Sequence, residues 1–85
     1  MSKHKYEIRI NEVNEVDKDT FIETMLKYEK TSIMVDGMIG YIDINTKDLI
    51  KGIIKVQEFN PNSTYDYHLS IGKNHASLDI DYNGR

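Results

Sequence analysis

Apolar and polar residues alternate strictly over residues 5–10, "KYEIRI", with Tyr6, Ile8 and Ile10 on one side and Lys5, Glu7 and Arg9 on the other. That period-two pattern predicts a half-buried strand. The polar connection "NEVNEVDKDT" follows, and Asp17 or Asp19 can cap a helix there. From residue 19 to about residue 30 the spacing changes to that of a helix, with Phe21, Ile22, Met25, Leu26 and Tyr28 on one stripe. Glu23 and Lys27 lie four residues apart on its outer face, in the favourable order.

"SIMVDGMIGYIDI" is rich in β-formers around Asp36-Gly37, a hairpin signal. It predicts two short strands, over residues 32–35 and 38–44, and Gly40 marks a bulge or a close backbone approach. "NTKD" at 45–48 has turn chemistry, and "LIKGIIKVQEF" at 49–59 is read as a strand. Its even row is Ile50, Gly52, Ile54 and Val56; its odd row is Leu49, Lys51, Ile53, Lys55, Gln57 and Phe59. A helical turn over 46–51, stopped by Gly52, is the competing reading of its start. "NPNS" at 60–63 breaks the chain before the last two strands.

Those last strands can be registered by arithmetic. With Lys73-Asn74 as a two-residue loop, Gly72 faces His75, Ser70 faces Ser77, and His68 faces Asp79. Asp66 then faces Asp81, and Tyr65 faces Tyr82. Tyr65, Tyr67, Leu69 and Ile71 share a face with Ala76, Leu78, Ile80 and Tyr82, and a one-residue slip would destroy that agreement. A four-residue loop at 60–63 would extend the meander, pairing Phe59 with Thr64, Gln57 with Asp66 and Lys55 with His68.

The expected architecture is therefore α+β: residues 1–85 as a single small domain, with one helix on a mainly antiparallel sheet of five to six strands. The element order is β-α-β-β-β-β-β. At 85 residues such a chain buries only about two-thirds of its unfolded surface, so association with another chain would add stability.

Composition narrows the function classes. There is no cysteine, hence no disulfide, thiolate ligand or thiol nucleophile. The start carries charge without an apolar signal-like run, and no apolar run nears the roughly 20 residues of a membrane span. A cytoplasmic protein without membrane attachment is expected. A net charge of −3, from 14 acidic and 11 basic residues, argues against a nucleic-acid binder. It also falls far short of the charge density of a DNA mimic. Abundant Ile, Lys and Asn with little Ala or Pro fits an AT-rich coding genome, such as a low-GC bacterium or its phages.

Two constellations invite functional readings. Asp66, His68, Asp79 and Asp81 share one face of the final hairpin, where they could hold a divalent cation or form an acid–base pair. His4 and His75 lie off that row, and beside lysines the same row is a solvated charge lattice. Tyr65, Tyr67 and Tyr82 could stack on bases or form a protein hot spot, or rim the core with their hydroxyls in water.

On the outer side of the 49–59 strand, Leu49, Ile53 and Phe59 stand among Lys51 and Lys55. With Asp66, Asp79 and Asp81 they make the expected interaction surface. The function expected is non-enzymatic and cofactor-free: binding of a protein, as a phage or mobile-element inhibitor of a host or defence factor would bind. Homodimerisation is a second use of the same surface. The alternative is a small-ligand or metal module built on the acidic hairpin face.

Overall fold

The computed structural model describes residues 4–9, 15–59 and 64–82. They form a five-stranded mixed sheet with two helices on one face, an α+β arrangement around one core. The strands are β1 (Lys5–Arg9), β2 (Lys30–Val35), β3 (Ile42–Asn45), β4 (Tyr65–Ile71) and β5 (Ala76–Tyr82). The helices are α1 (Lys18–Met25) and α2 (Thr46–Phe59). Across the sheet the order is β1-β4-β5-β2-β3.

The β4–β5 hairpin occupies the centre of the sheet in the register derived above: Tyr65 faces Tyr82, Asp66 faces Asp81, and His68 faces Asp79. Gly72 closes its tip by donating to the His75 carbonyl at 2.7 Å. β1 runs parallel to β4, pairing Tyr6 with Tyr67 and Glu7 with His68. β2 runs parallel to β5, pairing Ile33 with Leu78, and β3 closes the other side antiparallel to β2.

The mainly antiparallel meander is thus corrected to a mixed sheet, and the order of elements to β-α-β-β-α-β-β. Residues 49–59 are not a strand. They belong to α2, so Lys55 does not pair with His68, nor Gln57 with Asp66, nor Phe59 with Thr64. The loop proposed at 60–63 lies outside the described residues, as does Ile10.

The physical reason is visible in the apolar doublets Leu49-Ile50 and Ile53-Ile54, spaced at i, i+1, i+4 and i+5. As a strand both of its faces are mixed. As a helix, Thr46, Leu49, Ile50, Ile53 and Gln57 gather on one stripe. The topology requires the same answer, because β3 and β4 point the same way and parallel strands need a crossover. Asn45 starts α2 by accepting from the Asp48 amide at 3.2 Å. A buried bond between the Thr31 and Thr46 hydroxyls, 2.9 Å long, ties that end to β2.

α1 is shorter than the expected 19–30. Asp17 caps it by accepting from Thr20 at 2.7 Å, which holds the Asp17 carboxyl below its ordinary value. After Met25 the chain tightens, with Tyr28 donating to the Met25 carbonyl, because Lys30 already belongs to β2. The hairpin expected at Asp36-Gly37 is longer than two residues. Asp36 donates to the Ile80 carbonyl, committing the end of β2 to β5, and β3 begins only at Ile42.

Met25, Phe21, Tyr67, Leu69 and Leu78 form the fully buried centre. Tyr6 stacks on Tyr67 at 5.1 Å between ring centres, and Phe21 meets Tyr6 edge-on at the same distance. Gln57 of α2 donates to both phenol oxygens, locking the helix over this aromatic group.

Gly52 lies in the middle of α2 with open space where a Cβ would stand. Gly52→Ala is expected to raise stability in urea unfolding by about 0.5–1 kcal/mol, the ordinary helix preference. A loss of stability would contradict the open space above this position.

Candidate functional site

The two faces of the sheet have opposite characters. On the face away from the helices, Asp66, His68, Asp79 and Asp81 stand together as expected from the hairpin register. Their neighbours, however, come from β1: Lys5 lies beside Asp66, Glu7 beside His68, and Arg9 beside Ser70.

The His68 ring is mostly covered and lies between two carboxylates. Its Nδ1 is 3.2 Å from Glu7 Oε1, and its Nε2 is 3.5 Å from Asp81 Oδ2. Arg9 approaches both partners, at 3.3 Å from Glu7 and 3.4 Å from His68 Nδ1. When Nδ1 carries a proton it donates to Glu7; when it does not, it accepts from the guanidinium.

Asp79, directly opposite His68, is turned away to accept from the Tyr41 hydroxyl at 2.8 Å, which raises the Tyr41 pKa. The row is therefore a charge lattice spread over β1, β4 and β5. Among the described residues no group of three His, Asp or Glu side chains is arranged around a metal position. Partly covered surface pairs of this kind contribute at most about 1 kcal/mol each.

The expected interaction surface is divided by α2. Leu49 is buried, and Ile53 packs against the core. Lys51 and Lys55 are exposed on the outside of the helix, and Phe59 is 87% exposed at its end. Asp66, Asp79 and Asp81 are on the opposite side of the sheet. The eight residues do not form one face.

The helical side carries a feature absent from that expectation. α2 crosses the sheet toward the aromatic group under Gln57, leaving a cleft of about 430 Å³ along its other flank. Leu49, Gly52, Ile53 and Val56 form one wall, and Val35, Ile44, Tyr65, Tyr67 and Ile80 the rest. Among the described residues that line it, Asp48 alone is charged.

At the same end of the sheet lie Ile42 at the start of β3 and Tyr82 at the end of β5, each about half exposed. The loop before β3 adds Met38, Tyr41 and Ile39, the last 102% exposed. Gly37 and Gly40 give this loop its shape, with φ of 92° and 90° that L side chains rarely adopt. The sequence signal was the run "GMIGYI", apolar residues interleaved with the turn glycines Gly37 and Gly40 in a segment that a loop would expose.

Comparison with protein-family models, with curated proteins and with solved structures finds no match for this chain. No helix among the described residues is long and apolar enough to cross a membrane.

Burial raises the pKa of Tyr6 and pushes that of Tyr67 up to about 12, against an ordinary 10.0. The folded chain thus retains protons that the unfolded chain releases. Stability from this pair is complete below pH 10.0 and falls as pH rises toward about 12. Circular dichroism and tyrosinate absorbance followed together should show unfolding in that window, with Tyr67 ionising late. All six tyrosines titrating in one step near pH 10.0, with the fold intact, would contradict this packing.

Proposed function

We propose that this chain is a small, non-enzymatic protein-binding module whose docking surface is the corner formed by the cleft, β3 and the 38–41 loop. The observation that carries the reading is the apolar cleft itself, with Ile42 and Tyr82 half exposed on the same face of the sheet and Ile39 fully exposed in the loop that leads into β3. Contiguous apolar surface of this kind is characteristic of interaction sites, whereas isolated exposed apolar residues are ordinary. Large aromatic and aliphatic groups beside a groove are the anchors that dominate protein interfaces.

The size of the chain and its AT-rich composition suit a stoichiometric inhibitor of the phage or mobile-element kind, working in the cytoplasm of a low-GC bacterium. The polar face of the sheet takes no part in this reading. Its groups are already engaged in the charge lattice of Glu7, Arg9, His68 and Asp81.

The test is affinity capture from such a host, with Ile39→Glu and Val56→Glu as paired variants. Both positions are exposed, so the fold should survive. The expected result is a near-stoichiometric partner bound by the wild type and weakened at least about tenfold, or 1.4 kcal/mol, by either change. Identical retention by wild type and both variants would overturn the assignment of this corner.

A further inference from the structure

We infer that the partner enters the cleft as one apolar segment of its chain, packed on the bare backbone of Gly52 and bringing a lysine or arginine to Asp48. The inference rests on reading the cleft as a protein-docking site and names what that site recognises.

Beside the stripe that meets the sheet, α2 carries a second one. Asp48, Gly52, Val56 and Phe59 follow at spacings of four, four and three, so they stand in line along one flank of the helix. The first three line the cleft, and Phe59 continues the row past it beside Val56. Val56 is 40% exposed and Phe59 87%.

Gly52 is the informative member of this row. A glycine inside a helix costs stability relative to alanine. Its backbone is helical, unlike the left-handed Gly37 and Gly40, so no turn requires it. Beyond the helix's own backbone, no atom of the described residues lies within 4 Å of where its Cβ would stand. Neither conformation nor packing within the described residues calls for glycine here. A second chain lying on α2 does, because the missing side chain lowers the cleft wall and lets another backbone approach.

The charge of that second chain follows from Asp48. Its carboxylate is in none of the ion pairs among the described residues, which join Glu7 to Arg9 and His68, and His68 to Asp81. Lys51 and Lys55 stand on the outer side of α2. An apolar wall with one open carboxylate is complementary to an apolar segment with one cation. A neutral or acidic segment would strip water from Asp48 and give nothing back.

The length of the row selects a polypeptide over a small molecule. The cleft, at about 430 Å³, falls in the roughly 300–1,000 Å³ range of small-ligand sites. The row from Asp48 to Phe59 is longer, about 16 Å at about 1.5 Å per residue. That matches about five residues of extended chain or about three turns of helix. A small molecule in the cleft would leave Phe59 bare, whereas a segment of this length covers it.

The capture experiment above tests this with three further variants: Gly52→Leu, Asp48→Lys and, as a charge control on exposed α1, Glu23→Lys. Gly52→Leu and Asp48→Lys should each weaken retention of the partner at least about tenfold, and Glu23→Lys less than about twofold. Gly52→Leu should melt no lower than the wild type, so its loss of binding is not a loss of fold. A partner released by Ile39→Glu yet retained by both Gly52→Leu and Asp48→Lys overturns the inference and leaves the preceding reading standing.

Amide shifts of the labelled chain give a second readout that needs no partner, with hexylammonium and hexanoate as probes. Hexylammonium should move Gly52, Ile53 and Val56, and hexanoate should bind at least about threefold more weakly, a preference lost in Asp48→Asn. Equal binding of the two probes, or no shift at these residues, overturns the inference. So does selection of hexylammonium by a chain that captures no protein, which would assign the cleft to a small amphiphilic amine.

Discussion

The structure depends on the parity set by the β4–β5 hairpin. Its two-residue tip at Lys73-Asn74 fixes which side chains share a face. β1 and β2 then extend that parity outward by pairing along β4 and β5. A slip of one residue would turn one arm over against the other, bringing either Tyr67 and Leu69 or Leu78 out of the core and driving either His68 or Asp79 in. The burial of the first three and the open polar face are consequences of one register. α2 adds to it by sealing one half of the apolar face and leaving the other half as a cleft.

This hairpin was legible in the sequence because all its information is local: strict alternation on both arms and a short polar tip. α2 is hidden in the sequence because its apolar doublets fill both rows of a strand pattern as readily as one helical stripe, and Gly52 interrupts that stripe. The evidence for a helix lay in Leu49-Ile50 and Ile53-Ile54 recurring at a spacing of four. The parallel pairings were not legible at all, since nothing near β1 specifies that it lies beside β4.

The candidate site divides along the same line. The row of Asp66, His68, Asp79 and Asp81 follows from alternation alone. The neighbours that determine its character, Glu7 and Arg9, arrive through a pairing between residues some sixty positions apart. The lysines expected beside the row belong instead to the outer side of α2. Reassigning that one segment moves the functional interest from the charged face to the apolar one, where Ile42 and Tyr82 are half exposed on the face that holds the cleft.

Because so much turns on residues 46–59, backbone chemical shifts and interproton contacts over this segment test the account most directly. A helix over Thr46–Phe59 requires helical carbon shifts through Val56 and contacts between Thr31 and Thr46. It also requires contacts from Gln57 to the rings of Tyr6 and Tyr67. Extended shifts over 49–59, with cross-strand contacts between Lys55 and His68, would contradict it.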